Sequence, residues 1–321
     1  MLVGDDPEAD VAGFAAAYAA YFDRNATAEL TQLDGAPRWA IWPGHGLVAF
    51  GINASRAQIV QDIVRHGTMA AQRAEALSRW QPVGEKDLFD VEYWELEQAK
   101  LKKTGAVSSL EGKVALVTGA ASGIGRAAVA QLMNHGVCVV GLDKDPIVTE
   151  VSNSPLYLGS VTDVTQTDAI RKALETTVLW FGGIDIVVSN AGSFPTGAYL
   201  QDTSDEQWHA ALALNLDSHF KVMRDVIPYL KEGFDASVIV VASKNVLAPG
   251  PGAGAYSVAK AALTQLARVA ALELADHGIR VNVLHPDAVF DTGIWTDDVL
   301  TARAEKYGLT VDKYKRRNLL A

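Results

Sequence analysis

The sequence contains a single cysteine, Cys138, among its 321 residues. One thiol cannot form an intrachain disulfide, and it excludes structural zinc sites that are built from several cysteines. No apolar run approaches the roughly 18 residues that a membrane-spanning helix needs. The start of the chain is acidic, whereas a signal peptide begins with basic residues. We therefore expect a cytoplasmic protein without membrane contact.

Positive charge is also scarce. Lys and Arg number 28 against 38 Asp and Glu, which gives a formal net charge of −10. Because nucleic acids and anionic membranes are bound by clustered positive charge, we expect neither as a partner. Apolar residues make up 49% of the chain and charged residues 21%, a composition typical of a globular protein. At roughly 150 residues per domain, the length predicts about two domains.

The first hundred residues show helical periodicity with one short interruption. Asp6 is suited to cap a helix and Pro7 to occupy its first position, and the apolar residues that follow recur at intervals of three and four. This pattern predicts helices over 6–23, 55–77 and about 87–103, and short strands within 37–50 that are broken at Pro43-Gly44.

After residue 112, short runs of Val, Ile and Leu alternate with helical stretches. The strand-like runs lie at 113–118, 137–142, 156–158, 184–189, 237–242 and 280–284. Continuous apolar runs are typical of strands buried on both faces, and parallel strands need helical crossovers. The pattern predicts an α/β fold with a doubly wound parallel sheet. The expected organisation is a mostly helical unit over 1–103, a small and polar linker over 104–112, and the α/β domain over 113–321.

A glycine-rich segment, TGAASGIG, directly follows the first of these strands and opens a helix. Gly119 permits a tight turn, Gly123 lets backbone amides approach a pyrophosphate, and Gly125 lets the helix pack closely on the strand. Ser122 and Ile124 complete the loop, which presents a helix N-terminus to the anion. An ordinary glycine-rich turn is the alternative, but the position between a strand and a helix favours a dinucleotide site.

The second strand ends at Asp143, at a spacing from Gly119 close to the roughly 20 residues expected of a ribose-binding carboxylate. Such a carboxylate accepts hydrogen bonds from both ribose hydroxyls and repels a 2′-phosphate. Residue 122 is Ser rather than Arg or Lys, so we expect NAD rather than NADP. The neighbouring Lys144 would weaken that preference, and a solvated loop acid is the alternative interpretation of Asp143.

Tyr256 and Lys260 occur in a segment with a strong helical pattern, at a spacing that puts both on one helix face. An ammonium beside a phenol is expected to lower the phenol pKa from about 10. Tyr256 would then act as a general base toward a substrate hydroxyl, or as an acid in reverse. Ser243 would orient the substrate oxygen, and Asn215 would hold a water that connects Lys260 to solvent. A Tyr-x-x-x-Lys pair alone is usually a surface feature, so the prediction depends on the glycine loop as well.

Residues 113–300 resemble the classical short-chain dehydrogenase/reductase family. The motifs that carry the resemblance occur in the family's order: TGAASGIG, Asp143, Asp163-Val164, SNAG at 189–192, Asn215, Ser243, and Tyr256 with Lys260. The resemblance implies hydride transfer between nicotinamide and a small-molecule substrate, and a homo-oligomer paired through helices near 205–231 and 254–276. It also implies roles for three groups of residues: Asp163 and Val164 at the adenine; Asn190, Ala191, Gly192 and Pro286 beside the cofactor, together with Tyr256 and Lys260; and Asn215, Ser243, Tyr256 and Lys260 as the catalytic tetrad.

The sequence departs from the family in two places. The usual Pro-Gly after the sixth strand is Pro286-Asp287, which either alters nicotinamide or substrate contacts or is a subfamily variant without effect. The chain also stops at Ala321, before the seventh strand that the family has. We therefore expect a domain that lacks its last strand, and a non-catalytic NAD-binding fragment is an alternative function.

The first hundred residues resemble the end of a class II, zinc-dependent aldolase domain, through PGHGLVAFG at 43–51 and the helix that follows. In that family a histidine in a His-Gly-Leu turn binds zinc, which implies His45 as a metal ligand. A catalytic zinc needs about three protein ligands, and the sequence contains no His-x-His pair. Zinc and aldol cleavage are therefore expected only in a complete aldolase domain, and a turn residue without metal is the preferred interpretation of His45.

Together the two parts resemble the bifunctional rhamnulose-1-phosphate aldolase/short-chain dehydrogenase proteins, through DLFDVEYWELEQAKL at 87–101 and HPDAVFDTGIW at 285–295. This resemblance implies a role in rhamnose catabolism, with lactaldehyde or a related hydroxyaldehyde as the substrate of the dehydrogenase. It also implies that the chain is an internal fragment of a longer protein. The leading hypothesis is an NAD-dependent oxidoreductase, and a zinc-dependent lyase is the alternative from another enzyme class.

Overall fold

The structure, a computed structural model, describes residues 1–27, 29–101, 108–194, 197–290, 292–293 and 295–317. The chain divides into two compact units, Met1–Glu111 and Gly112–Ala321. The first four residues of the predicted linker, 104–107, lie outside the described residues. Within the described ranges, no helix has the length and apolar character needed to cross a bilayer.

In its described residues, the first unit contains four helices and a two-stranded antiparallel hairpin. In chain order these are α1 (Pro7–Asn25), β1 (Trp39–Trp42), β2 (Gly46–Ala49), α2 (Ala54–Leu77), α3 (Glu85–Glu92) and α4 (Glu95–Leu101). The predicted start of α1 is confirmed, since Asp6 Oδ1 accepts a hydrogen bond from the Ala9 amide at 3.0 Å and Pro7 begins the helix.

The prediction of a single helix over 87–103 is wrong, because α3 and α4 are separate helices. Tyr93 ends α3 with φ −106° and ψ 20°. Its side chain is 4% exposed, its ring stacks on that of Phe89 at 4.4 Å between centroids, and its hydroxyl hydrogen-bonds to that of Tyr18 at 2.8 Å. Packing of this aromatic side chain overrides the helical periodicity. The end of the expected helix, beyond Leu101, lies outside the described residues.

The second unit is built on a six-stranded parallel sheet in the order β5-β4-β3-β6-β7-β8. This is the order of a doubly wound dinucleotide-binding sheet, so the predicted fold class is confirmed. The strands are β3 (Val114–Thr118), β4 (Cys138–Asp143), β5 (Tyr157–Val161), β6 (Ile186–Ser189), β7 (Ser237–Val241) and β8 (Arg280–Leu284).

Helices connect the strands and follow the last one. They are α5 (Gly123–Asn134), α6 (Thr167–Phe181), α7 (Asp205–Leu212), α8 (Ser218–Lys231), α9 (Gly254–Glu273), α10 (Asp297–Lys306) and α11 (Val311–Arg317). A π-helical turn, Ala213–Asp217, joins α7 to α8. In the described part of 285–317, no strand follows β8, and α10 and α11 pack together around Leu300, Ala304 and Tyr314.

The core of the second unit lies between the central strands and the helices α6, α8 and α9. Every residue of β3 and β6 is buried, as the continuous apolar runs predicted. Leu116 on β3 packs in one cluster with Leu174, Leu230 and Leu263 of the three helices. Because all six strands run parallel, their carboxyl ends share one edge of the sheet, and the loops with the predicted site residues begin there.

Candidate active site

Gly119 and Gly125 show why the loop between β3 and α5 needs glycine. Gly119 has φ +69°, which L side chains rarely adopt. A Cβ on Gly125 would overlap the carbonyl oxygen of Gly119. The amides of Gly119 and Ala120 both donate to the Leu142 carbonyl, at 2.8 and 3.2 Å. These contacts hold the start of α5 at the carboxyl edge of the sheet, beside the end of β4.

The first turn of α5 offers free backbone donors. Ser122 is the N-cap of the helix, but its side chain makes no capping hydrogen bond. The amides that begin a helix, here from Gly123 and Ile124 onward, have no intrahelical acceptor. Together with the positive end of the helix dipole they form a site for an anion such as a phosphate. Thr292 lies against this turn, since a Cβ on Gly123 would be 3.1 Å from its Cγ2.

Asp143 ends β4 and lies beside the glycine loop. Its Oδ2 accepts a hydrogen bond from the Ala121 amide at 3.1 Å, and its Oδ1 accepts one from the Asp145 amide at 3.0 Å. A carboxylate has about four lone-pair positions, so both oxygens keep capacity for a hydroxyl donor. The carboxylate is therefore held in a defined orientation and can still bind a ligand.

The next loop begins where β5 ends, and it is tied to Asp143 by a hydrogen bond from the Thr162 amide to the Asp143 carbonyl at 2.7 Å. The Asp163 carboxylate accepts hydrogen bonds from the amide and hydroxyl of Thr165, at 2.9 and 2.8 Å. The side chain of Val164 is buried in the core. Asp163 thus stabilises its own turn, and it lies next along the sheet edge from Asp143.

Asn190 links the end of β6 to the glycine loop. Its Nδ2 donates to the carbonyls of Thr118 and Gly119 at 2.9 and 3.3 Å. In return, Thr118 Oγ1 accepts hydrogen bonds from the amides of Asn190 and Ala191, both at 2.9 Å. The SNAG segment therefore borders the loop through several hydrogen bonds.

Gly192, Asn215 and Lys260 come together next to this segment. A Cβ on Gly192 would lie 2.8 Å from Asn215 Oδ1 and 3.3 Å from Lys260 Nζ. Asn215 is fully buried in the π-helical turn, where its Oδ1 accepts a hydrogen bond from the Ser193 amide at 3.2 Å. Lys260 is 3% exposed, and its ammonium donates to the Val241 carbonyl at 2.9 Å.

The ring of Tyr256 lies between a cation and an aromatic side chain. Lys260 Nζ is 6.0 Å from the ring centroid, and Phe194 contacts the ring edge-on at 4.9 Å between centroids. The Ser243 hydroxyl lies near enough to the Tyr256 phenol to lower its pKa. Because Ser243 Oγ accepts a hydrogen bond from the Asn245 amide at 3.2 Å, its own proton is free to be donated to the phenol oxygen or to a substrate oxygen.

The expected lowering of the Tyr256 pKa by Lys260 is wrong. Burial raises the pKa of Tyr256, and the nearby Ser243 hydroxyl opposes this rise only in part. Burial also lowers the pKa of Lys260 to about 8. Desolvation is thus the largest influence on the pKa of both groups. The phenol is thus protonated at neutral pH, which is the state of a general acid.

Pro286 and Asp287 follow β8 and lie beside Ser243. The Lys244 amide donates to the Pro286 carbonyl at 3.0 Å. His285 Nδ1 donates to the Ser243 carbonyl at 3.0 Å. The side chains of Lys244 and Asp287 form a salt bridge. The sequence singled out Asp287 as a departure from the family, but it gave no signal that Lys244 is the partner.

His219 was missed at the sequence level, although it follows Asn215 at a helical spacing of four. Its side chain is 2% exposed, and Nδ1 lies 2.6 Å from Ser189 Oγ. Among the described residues, Nε2 has no hydrogen-bond partner. Burial and the positive charge of Lys260 lower the pKa of His219 well below its usual range. The imidazole is therefore neutral, directly behind the SNAG segment.

The space beside Tyr256 is narrow. It is lined by Phe194, Gln207 and the short side chains of 252–255, and it encloses about 20 Å³. That volume has room for about one water molecule.

His45 belongs to the first unit, in the turn between β1 and β2. Its amide donates to the Trp42 carbonyl at 2.9 Å, and the two rings are 5.1 Å apart. Among the residues that the structure describes, no group of three or more His, Cys, Asp or Glu side chains is arranged to hold a metal ion. The described residues around His45 therefore do not fit the zinc of an aldolase.

Comparison with known proteins decides the family. The family model for short chain dehydrogenases matches residues 113–301. The chain belongs to the short-chain dehydrogenase family. A second model, for the second domain of class II aldolases, matches residues 3–101. The resemblance to an aldolase–dehydrogenase fusion is confirmed, and so is the assignment of the second unit to the oxidoreductases.

Two curated relatives show the extent of this similarity. An uncharacterized oxidoreductase of Bacillus subtilis, YuxG, is 33% identical over 321 residues, which cover 96% of this chain and 46% of that protein. The chain thus spans about half the length of this relative. An uncharacterized NAD-dependent oxidoreductase of Mycobacterium tuberculosis is 34% identical over 204 residues, 56% of this chain and 73% of that protein.

Two solved structures share the fold of the second unit. The 3-ketoacyl-(acyl-carrier-protein) reductase of Brucella melitensis, complexed with NADH, has a TM-score of 0.57 and 30% identity, covering 58% of this chain and 80% of that one. Carveol dehydrogenase of Mycobacterium avium, in complex with NAD, has a TM-score of 0.59 and 26% identity. The match covers 63% of this chain and 79% of that chain.

Proposed function

We propose that the chain transfers a hydride between NAD and a small hydroxyaldehyde or alcohol, with Tyr256 as the proton-transfer group. One observation carries this proposal. The glycine loop, Asp143, and the cluster of Asn215, Ser243, Tyr256 and Lys260 are joined by continuous contacts along one edge of one sheet. A nucleotide bound at the loop would extend toward the cluster.

The residues present fit NAD. The narrow turn at Gly119 and Gly125 and the free amides of Gly123 and Ile124, beside Ser122, would hold the pyrophosphate. Other parts of the cofactor would be bordered by residues in three places: Asp163 and Val164 at the adenine, Asp143 at the adenosine ribose, and Asn190, Ala191, Gly192 and Pro286 toward the nicotinamide. The bound cofactor supplies the carbon that gives or accepts the hydride.

The proton-transfer steps follow from the hydrogen bonds of this chain. In the reductive direction, Tyr256 donates its phenol proton to the substrate carbonyl oxygen, and Ser243 donates a hydrogen bond to the same oxygen. Lys260, whose pKa is lowered to about 8 by burial, is poised to return a proton to Tyr256 near neutral pH. Asn215 keeps Gly192 and Ser193 in place beside Lys260.

The substrate part of the proposal follows from resemblance. The rhamnulose-1-phosphate aldolase/short-chain dehydrogenase fusions, which the two parts of the chain resemble, imply lactaldehyde or a related hydroxyaldehyde. Rhamnose catabolism and a cytoplasmic location stay predictions.

Self-association is supported by exposed apolar side chains on α8 and α9, such as Phe220, Val258 and Leu272.

The cofactor part of the proposal is tested by fluorescence titration with NADH and NADPH. The parent protein is expected to bind NADH more tightly by at least about tenfold, because the Asp143 carboxylate repels a 2′-phosphate. In Asp143→Ser, the preference for NADH is expected to disappear through tighter NADPH binding. Equal binding of the two cofactors by the parent, or an unchanged preference in the variant, contradicts the proposal.

A further inference from the structure

The salt bridge between Lys244 and Asp287 joins two strand ends beside the reacting groups. Lys244 directly follows Ser243 after β7, and Asp287 directly follows Pro286 after β8. Both residues thus lie at the carboxyl edge of the sheet, where ligands of such folds bind. Their side chains are 45% and 44% exposed, so both charged groups remain accessible to a ligand.

Backbone hydrogen bonds keep this pair in a fixed place. Beyond the paired strands, the Ala242 amide donates to the Leu284 carbonyl at 2.8 Å, and the Lys244 amide donates to the Pro286 carbonyl at 3.0 Å. The His285 ring donates to the Ser243 carbonyl at 3.0 Å. Because the same segment carries Ser243, the position of the ion pair is fixed relative to the hydroxyl that faces Tyr256.

The pair has unused hydrogen-bonding capacity of both kinds. An ammonium carries three protons and a carboxylate about four lone-pair positions, and the salt bridge uses only part of them. A hydroxyl group can both donate to the carboxylate of Asp287 and accept from the ammonium of Lys244. A ligand carboxylate, by contrast, meets the negative charge of Asp287 and competes with it for Lys244.

We propose that the Lys244–Asp287 pair selects the substrate and favours uncharged compounds with neighbouring hydroxyl groups over compounds that carry a carboxylate. This inference rests on the proposed function, which puts the reacting oxygen between Ser243 and Tyr256. The exposed pair contributes little to folding, so its removal changes selectivity rather than stability. In this site Asp287 occupies the position of the family's usual glycine and supplies the charge that rejects an anion.

The test is calorimetric titration with oxamate, a small carboxylate, in the presence and absence of NADH. Asp287→Asn removes the negative charge and leaves Lys244 unpaired, so its affinity for oxamate is expected to rise by about tenfold or more. The double variant Lys244→Met with Asp287→Asn is expected to lose that gain. Unchanged oxamate affinity in Asp287→Asn, or a gain that persists in the double variant, overturns the proposal.

Two controls separate this proposal from the proposed function. Asp90→Asn breaks an exposed Lys86–Asp90 ion pair in the first unit and is expected to leave oxamate binding unchanged. Oxidation of propane-1,2-diol and of lactate by NAD is measured in parallel, and Asp287→Asn is expected to shift the kcat/KM ratio toward lactate. Failure of the parent to bind NADH or to oxidise the diol contradicts the proposed function, whereas the oxamate titration decides the role of the pair without turnover.

Discussion

Lys260 carries a buried positive charge, and the cost of that charge to folding can be measured. The side chain is 3% exposed, and its ammonium donates to the Val241 carbonyl at 2.9 Å. Replacing it with methionine keeps a long apolar side chain and removes the charge. We expect Lys260→Met to be more stable than the parent at neutral pH and to have lost hydride transfer.

The magnitude follows from the pKa. Burial lowers the pKa of Lys260 from 10.5 to about 8, so the unfolded chain binds the proton more strongly than the native protein does. At about 1.4 kcal/mol per pH unit, this difference costs the native state roughly 3 kcal/mol near neutral pH. Leaving the Val241 carbonyl unpaired in the variant costs about 1 kcal/mol. Lys260→Met is therefore expected to gain about 2 kcal/mol in free energy of unfolding, which raises Tm by about 4–8 °C for a unit of this size.

The sign of the pH dependence is a sharper test than the size of the gain. The destabilisation of the native parent protein by the buried charge of Lys260 is fully present below the native pKa of about 8. It fades as pH rises toward 10.5, where the unfolded lysine also loses its proton. Thermal unfolding is measured near pH 7 and near pH 10. The gain in unfolding free energy of Lys260→Met is expected to shrink to below about 1 kcal/mol at the higher pH. The control Lys244→Met, at an exposed site, is expected to show no such pH-dependent gain. A variant less stable than the parent near neutral pH, or a gain independent of pH, refutes the reasoning.

Two further predictions concern groups around the same site. Because burial and Lys260 lower the pKa of His219 below its usual 6.5, the native state resists its protonation and loses stability as pH falls below that value. The loss of unfolding free energy between about pH 7.5 and about pH 5.5 is expected to be smaller in His219→Gln, and an equal loss contradicts this. A Cβ on Gly125 overlaps the Gly119 carbonyl, so Gly125→Ala is expected to lose at least about tenfold in NADH affinity and about 1–3 kcal/mol of stability. Unchanged titration and melting curves contradict that prediction.

Local sequence patterns predicted the features that depend on neighbours along the chain. The apolar runs at 113–118 and 184–189 became the fully buried β3 and β6, because a strand buried on both faces lacks the polar residue at every second position that a half-exposed strand has. The glycine spacing after β3 predicted a narrow turn, and the overlap of a Gly125 Cβ with the Gly119 carbonyl gives its physical reason.

Features that depend on tertiary packing were not visible in the sequence. The break between α3 and α4 depends on burial of Tyr93 against Phe89 and Tyr18, which helical periodicity does not reveal. The raised pKa of Tyr256 depends on how much water its pocket excludes. The salt bridge of Lys244 and Asp287 joins residues from two strand ends that meet only in the folded sheet.

The most direct test of the proposed chemistry is hydride transfer by Tyr256→Phe. Reduction of lactaldehyde by NADH and oxidation of propane-1,2-diol by NAD are followed by absorbance, and NADH binding is titrated on the same protein. The phenylalanine keeps the ring between Phe194 and Lys260 but has no proton to transfer. We expect NADH still to bind, because the glycine loop and Asp143 are unchanged, and we expect a loss of about 10²–10⁴-fold in kcat. A variant that turns over either substrate as fast as the parent contradicts the role of Tyr256.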